Sequence, residues 1–358
     1  MLGPIKTIIT KPKTLTYAHN AVKNVMQKTT QTAMNPNTLD ISMFHQYMFS
    51  KQFHLGFNVD EIKKLFSFDG DNFFTEVYNF FVKKLNIPEK LKPKIGECQL
   101  GNGVGMSYLW NQNILAKNPN APMQTKEEIF SLIRHELQHW SQYMDIYRYP
   151  KTGSKMVDLC TDMAVQQELA GLDHVVKNFS SEQLLTLGLD GDTIKMIQKL
   201  KEFLAKNDTK SYDELFNAYK TNVDSAYRGQ YNAFKDQVVA EMGSLSSDSR
   251  AARRAEKFFD ATTAETYLKA DGNPHAGKYA VDIREEEAAV TQLVALEDLE
   301  TTMGKKPCWI KAYKERLKQL YEMTKDDKQM ADELTETSQQ LAIDSKEKTI
   351  EFCKYLYD

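Results

Sequence analysis

Glycine and proline are scarce in this chain. Only 16 glycines and 10 prolines occur among 358 residues, well below the combined share of about 12% that is usual in proteins. Because these two residues supply most tight turns, the composition predicts a helix-rich protein with few hairpins. A chain of this length is also long enough to bury a sizeable hydrophobic core.

Cysteine and net charge are limited as well. The four cysteines lie far apart and form no C-x-x-C pair, which argues against a disulfide scaffold and a cysteine zinc knuckle and fits a reducing compartment. The 46 basic and 49 acidic residues give a formal charge of −3. We therefore expect no overall electrostatic attraction to nucleic acid.

Long apolar runs are absent from the first residues, MLGPIKTIITKPKTLTY. A signal peptide or a membrane span needs a longer apolar stretch than this segment offers. We therefore expect a cytoplasmic protein with no membrane partner, and export without a leader stays open as an alternative.

Apolar residues recur at helical spacing over most of the chain, with one interval that favours β-strands. Residues 91–118 combine glycines with β-favouring segments and predict two or three short strands, with SYLWNQNIL as a strand–turn–strand. Helices are predicted elsewhere: two over 59–85, the second near 71–85, one between Thr125 and Pro150, a helical stretch over 155–240 with breaks near Gly188–Gly191 and Gly229, helices over 248–270 and 283–299, and a pair over 307–358.

One predicted helix carries a metal-binding pattern. Thr125 is a suitable N-cap and Glu128 stands three residues later, which together predict a capping box. The apolar residues that follow lie within one arc of the helical wheel and predict an amphipathic helix. This helix contains His135, Glu136 and His139 in the motif H-E-x-x-H.

The spacing of this motif has a chemical reason. Residues i and i+4 share one face of an α-helix, so His135 and His139 can reach a single metal ion. Glu136 projects beside the ion, where it can accept a proton from water. The structural alternative is a pair of surface histidines beside a salt-bridged glutamate.

A catalytic zinc site needs a third protein ligand. Asp145 stands at the third-ligand position of the pattern H-E-x-x-H-x-x-G-x-x-H, but Gln142 replaces the glycine that lets the chain turn back. A second candidate is a run of three acids, Glu285, Glu286 and Glu287, at the start of a predicted helix. Either one of these acids faces the histidines, or all three complement the positive end of the helix dipole.

The motif HELQHW, the glycine-containing strand region before it and the downstream string Y-x-x-D-x-x-E-x-E-A resemble the zincin superfamily of metallopeptidases, most closely its gluzincin-type members. The resemblance implies an α+β, helix-rich fold with a zincin-like core, in which a short mixed β-sheet packs on the motif helix. The expected domain organisation is an N-terminal helical or arm region over 1–70, a zincin core over 71–150, a helical insertion over 151–270, a third-ligand helix over 271–300 and C-terminal helices over 301–358.

The same resemblance assigns roles to single residues. It implies that His135 and His139 bind zinc and that Glu136 is the general base. Glu285 is expected to be the third ligand, with Glu287 as the alternate. The region Tyr108–Leu115 is expected to pair with an extended substrate by β-augmentation.

The resulting hypothesis is a zinc metallopeptidase that hydrolyses a peptide or protein substrate. His275 and Tyr279, just before the third-ligand helix, are candidates for stabilising the oxyanion. The helical insertion is a candidate site for a protein partner. The alternative function is a catalytically silent binding protein on a zincin scaffold, which uses its helical arms to bind a partner. Whether residues 1–70 form a pro-segment stays open.

Overall fold

The computed structural model describes residues 54–100, 104–121, 124–270 and 283–304. These residues form mainly α-helices together with one small β-sheet, so the predicted helix-rich α+β class is confirmed. The predicted helix pair over 307–358 and most of the predicted N-terminal region over 1–70 lie outside the described residues. None of the described helices combines the length and the apolar character needed to cross a membrane.

The described chain divides into two compact units. One unit covers Ile146–Ser249, and the other combines the described residues before Ile146 with those from Arg250 onward. The helical insertion predicted over 151–270 overlaps the first unit. Its last predicted helix, over 248–270, belongs to the unit that contains the sheet.

Two helices precede the sheet in the second unit. Helix α1 spans Val59–Phe66 and is capped by Asn58, whose side-chain oxygen accepts hydrogen bonds from two backbone N–H groups of the first turn. Helix α2 spans Gly70–Lys84, close to the bounds predicted for this segment, and buries an aromatic face that includes Phe73 and Phe81.

The sheet consists of three short strands. β1 spans Lys94–Glu97, β2 spans Met106–Leu109 and β3 spans Ile114–Lys117. Their spatial order is β1–β3–β2, with β1 parallel and β2 antiparallel to β3. β2 and β3 form the predicted strand–turn–strand, whose turn places Asn113 at a φ of 51°, a conformation that asparagine tolerates better than most residues. β2 therefore lies at an edge of the described sheet and β3 lies at its centre.

Helix α3, Lys126–Arg148, carries the metal-binding motif. The predicted capping box is present at its start. The backbone N–H of Glu128 donates to Thr125 Oγ1 at 3.2 Å, and the backbone N–H of Thr125 donates to Glu128 Oε2 at 2.8 Å. Two donors that a helix start leaves unsatisfied are thereby paired, which fixes where α3 begins.

The apolar face of α3 is buried against the rest of the unit. Phe130, Ile133 and Leu137 are fully buried, and the ring centroid of Phe130 lies 4.7 Å from that of Phe81 on α2. Burying one such side chain stabilises a fold by about 1.5–3 kcal/mol. This packing sets the rotation of α3 about its axis and thereby the direction in which the motif side chains point.

Four helices of the unit Ile146–Ser249 come next along the chain, and helices α8 and α9 then complete the unit that contains the sheet. The four are α4 (Pro150–Asn178), α5 (Ser181–Thr186), α6 (Gly191–Ala205) and α7 (Thr209–Met242). Helix α8 spans Arg250–Ala270 and α9 spans Ile283–Thr302, in agreement with the helices predicted over 248–270 and 283–299. α8 packs on α9, and Ala288 on α9 is completely buried.

The unit Ile146–Ser249 has a core of its own, formed between α4, α6 and α7. The predicted break near Gly188–Gly191 is confirmed, because α5 ends at Thr186 and α6 begins at Gly191. The predicted break at Gly229 is wrong, since α7 runs through that residue. A single glycine costs a helix only about 1 kcal/mol relative to alanine, and the buried residues of α7 offset that cost.

The sequence patterns missed two breaks, one between α4 and α5 and one between α6 and α7, at Asn207. This residue has a φ of 52°, in the left-handed region that asparagine adopts more readily than most residues. Asp208 then caps α7 by accepting a hydrogen bond from the backbone N–H of Ser211 at 3.1 Å. Asn207 therefore separates the two helices, and Asp208 caps the start of the second.

An ion pair between His54 and Asp298 links the first described residues to α9. His54 Nδ1 lies 2.6 Å from Asp298 Oδ1, and the backbone N–H of Leu55 donates to Asp298 Oδ2 at 3.0 Å. The hydrogen bond with Asp298 raises the pKa of His54 above its ordinary value, by more than partial burial lowers it. The protonated ring is therefore the form that stabilises this attachment.

This ion pair predicts a pH dependence of stability. Because the pKa of His54 is higher in the folded chain than in the unfolded chain, its stabilising effect is complete below the ordinary histidine pKa of about 6.5 and is lost as pH rises through the raised value. Asp298→Asn should flatten this part of the pH profile of the free energy of urea unfolding. Identical profiles for the wild-type and variant chains would contradict the assignment.

Candidate metal centre

Helix α3 brings the two motif histidines to one point. His135 and His139 lie one turn apart on the same face, and their Nε2 atoms are 3.1 Å apart. The ring of His139 is buried and that of His135 is largely buried. The alternative of two solvent-exposed surface histidines does not fit this burial.

The first turn of α9 adds a carboxylate to the pair. Glu285 Oε1 lies 3.1 Å from His139 Nε2, and Glu285 Oε2 lies 3.6 Å from His135 Nε2. Each residue of this trio offers one ligand atom, and the three atoms lie within 4.8 Å of one another. The arrangement is a triangle of two nitrogens and one oxygen that could hold a metal ion.

The ligand atoms of the trio are close enough together to hold one small metal ion. Zinc binds imidazole nitrogen and carboxylate oxygen at about 2.0–2.2 Å, which places two ligand atoms of a tetrahedron about 3.3 Å apart. The two Nε2 atoms are 3.1 Å apart, and the distances from His139 to Glu285 Oε1 and from His135 to Glu285 Oε2, 3.1 and 3.6 Å, are also close to that value. Two neutral imidazoles and one carboxylate are also a ligand set that zinc takes in catalytic sites.

The electrostatics of the triangle favour a cation at its centre. Burial alone would lower the pKa of His139, but Glu285, Glu136 and Gln142 together raise it to about 9. Burial alone would likewise raise the pKa of Glu285, yet the two histidines hold it well below its ordinary value. Converging acceptor atoms therefore attract positive charge, which a proton or a metal ion can supply.

Glu136 lies beside this triangle in a buried position. Its Oε2 accepts a hydrogen bond of 2.7 Å from the backbone N–H of Tyr108 on β2. Burial raises the pKa of Glu136 above its ordinary value, against the opposing effect of His135 and His139. The pairing fixes one carboxylate oxygen against the edge strand, and burial leaves a base that binds a proton more tightly than a solvated glutamate does.

A second layer of side chains surrounds His139. Its Nδ1 lies 3.0 Å from Gln142 Oε1. Gln142 Nε2 donates to Glu287 Oε2 at 2.8 Å and to the backbone carbonyl of Arg284 at 3.0 Å. Glu287 also forms an ion pair with Arg254 on α8. Helices α3, α8 and α9 are thus connected by one buried chain of polar contacts.

Arg284 strengthens the same junction between helices. Its side chain is almost completely buried, and its Nη1 donates to Tyr143 Oη and to Thr262 Oγ1, each at 3.0 Å. Tyr143 is on α3 and Thr262 is on α8. A buried guanidinium needs such partners. These two hydrogen bonds hold the start of α9, directly before Glu285, against α3 and α8.

Of the acids considered for the third ligand, the structure brings Glu285 to the histidines. Both carboxylate oxygens of Glu287 bind elsewhere, to Gln142 and Arg254. Asp145 is not a member of the trio, because α3 continues as a helix to Arg148 and six helical residues place Asp145 about 9 Å beyond His139 along the axis. The oxyanion candidates, His275 and Tyr279, lie outside the described residues.

Gln142, Glu287 and Arg254 have contacts here that the sequence analysis did not assign. The available signal was the spacing of Gln142, which stands three residues after His139 and so shares its helix face. Comparison of the chain with protein-family models, curated proteins and solved structures finds no match. The function proposed for the site therefore depends on the geometry of His135, His139, Glu285 and Glu136.

Proposed function

We propose that this protein is a zinc-dependent peptidase with a zincin-like core. The observation that carries the proposal is the triangle formed by His135, His139 and Glu285, with the buried carboxylate of Glu136 beside it. A general base next to a three-ligand metal site is the minimum equipment for metal-assisted hydrolysis. The three described strands and the motif helix are the elements assigned to that core.

The ligand trio would hold the ion, and bound zinc would supply a Lewis acid that polarises the scissile carbonyl and makes water more acidic. Glu136 accepts a proton from the attacking water through Oε1, since its Oε2 is held by Tyr108. The water oxygen bonds to the carbonyl carbon, the carbon–nitrogen bond breaks, and Glu136 returns the proton to the leaving amine. Its raised pKa favours the first transfer, because a carboxylate of low pKa takes a proton from water poorly.

The edge strand β2 is the proposed place for the substrate backbone. The region predicted for this role from the sequence is Tyr108–Leu115, but Leu115 lies in β3, which is flanked by strands on both sides. Only β2 of the two has an edge in the described sheet that can pair with an extended chain. The N–H of Tyr108 that binds Glu136 belongs to this strand, so a peptide aligned along β2 would run past the general base.

Metal-dependent cleavage tests the proposal. The purified chain, incubated with a mixture of unstructured peptides, should produce fragments that are detected by mass spectrometry. Cleavage should stop after treatment with a chelator and return when zinc is added, and the double variant His135→Ala/His139→Ala should be inactive throughout. Cleavage that is insensitive to the chelator would contradict the proposal, and zinc binding without any cleavage would favour the binding-protein alternative.

A further inference from the structure

We infer that Gln142 is a positioning residue that couples two of the proposed zinc ligands, His139 and Glu285. The inference rests on the proposed zinc site and goes beyond it, because it assigns the orientation of two ligands to one uncharged side chain. Gln142 is on α3 with His139, and its amide reaches α9 beside Glu285. Metal ligands generally depend on such outer partners for their orientation.

The contacts of Gln142 leave its amide only one satisfactory orientation. The Nε2 group has two acceptors in front of it, the carbonyl of Arg284 and the carboxylate of Glu287. The reversed orientation would place the amide oxygen against both of these oxygens. The amide oxygen therefore faces His139, and it can only accept there.

This orientation also determines the proton position on His139. An acceptor 3.0 Å from Nδ1 requires that Nδ1 carry the hydrogen. The neutral ring then presents its Nε2 lone pair toward the other two ligand atoms of the triangle. Gln142 thus selects the tautomer of His139 that can bind a metal ion and fixes the plane of the ring.

The same amide positions the second ligand through the backbone. Its Nε2 donates to the carbonyl of Arg284, the residue directly before Glu285. A hydrogen bond at this point restricts the first turn of α9 relative to α3, on which both histidines lie. Loss of Gln142 should therefore disturb the histidine and the carboxylate together.

Glu287 and Arg254 make this arrangement rigid. Glu287 is almost completely buried, and its two oxygens are taken by Arg254 and by Gln142. A buried carboxylate that lost one of these donors would be strongly destabilising, so the pair holds the amide in place. A carboxylate at position 142 would keep the contact with His139 but would repel Glu287 and leave the carbonyl of Arg284 without its donor.

The test is the zinc affinity of matched variants, measured by competition with a chromophoric chelator. Gln142→Leu, which keeps the volume and removes the polar atoms, should weaken zinc binding by about 10–100-fold. The control is Gln138→Leu on the same helix. Gln138 is also buried, and it accepts a hydrogen bond from Arg134 at 3.0 Å rather than contacting a member of the trio, so its loss should leave the zinc affinity unchanged.

A charge exchange keeps the inference testable if the leucine variant fails to fold. Gln142→Glu should weaken zinc binding, and adding Glu287→Gln should recover on the order of tenfold, because it restores a hydrogen bond to a charged group between the two positions. Equal zinc affinities for Gln142→Leu and Gln138→Leu, or no recovery in the double variant, would overturn the inference. If the wild-type chain itself bound no zinc, the proposed function would fail instead.

Discussion

Glu136→Gln should retain bound zinc and lose hydrolysis, with the rate of peptide cleavage falling by about 10²–10⁴-fold. Glutamine has nearly the same shape as glutamate, and its amide oxygen can still accept the hydrogen bond that the backbone N–H of Tyr108 donates to Glu136. An amide cannot take a proton from water at neutral pH. Zinc content and cleavage rate, measured on one preparation, separate the two properties.

Glu128 offers a matched control for this substitution. It lies at the start of the same helix and pairs with Thr125 in the capping box, where glutamine serves as well as glutamate. Glu128→Gln should therefore leave both zinc content and cleavage unchanged. If Glu136→Gln cleaved peptides as fast as the wild-type chain, the general base would have to be another group.

Glu285→Ala should have the largest effect on metal binding. This carboxylate supplies the negative charge that offsets the charge of the ion, since the two other ligands are neutral imidazoles. We expect a loss of zinc affinity greater than the roughly 10–100-fold that removal of an outer partner causes. Isothermal titration of zinc into the metal-free variant measures this loss.

Two other glutamates on α9 serve as comparisons for the loss of zinc affinity expected in Glu285→Ala. Glu287 contacts Gln142 rather than the trio, so Glu287→Ala should cost less zinc affinity than Glu285→Ala. Glu297 lies about three turns further along the helix and is not a member of the ligand trio found among the described residues, so Glu297→Ala should cost none. A greater loss for Glu287→Ala than for Glu285→Ala would show that the third ligand is the alternate acid of the sequence analysis.

The motif helix could be predicted from the sequence because its signals are local. The capping box at Thr125 and Glu128 and the spacing of His135 and His139 all lie within α3. A helix forces residues four apart onto one face, whatever packs around it. The meeting of the two imidazoles therefore follows from the sequence and from helix geometry alone.

The surrounding network could not be predicted in the same way. Contacts of Gln142 with Arg284 and Glu287, and of Glu287 with Arg254, join three helices that are far apart in sequence. Their existence depends on how α8 and α9 pack against α3, which no local pattern specifies. Gln142 stands where the pattern H-E-x-x-H-x-x-G-x-x-H has glycine. In the structure this glutamine has partners on α9.

The boundary between helical segments shows a related limit. Gly229 looks like a break because glycine has a low helix propensity, but α7 passes through it since tertiary packing outweighs about 1 kcal/mol. The break at Asn207 instead depends on a backbone conformation that asparagine allows and does not require. Propensity alone therefore predicted one break that does not exist and missed the breaks between α4 and α5 and between α6 and α7.

X-ray absorption spectroscopy of the zinc-loaded chain tests the central claim most directly, because it reports which atoms surround the ion. We predict one zinc per chain, bound by two imidazole nitrogens and by carboxylate or water oxygens at about 2.0–2.2 Å. The signal should vanish in His135→Ala/His139→Ala. A chain that retains no zinc, or a spectrum dominated by sulfur at about 2.3 Å, would contradict the assignment of His135, His139 and Glu285 as the metal site.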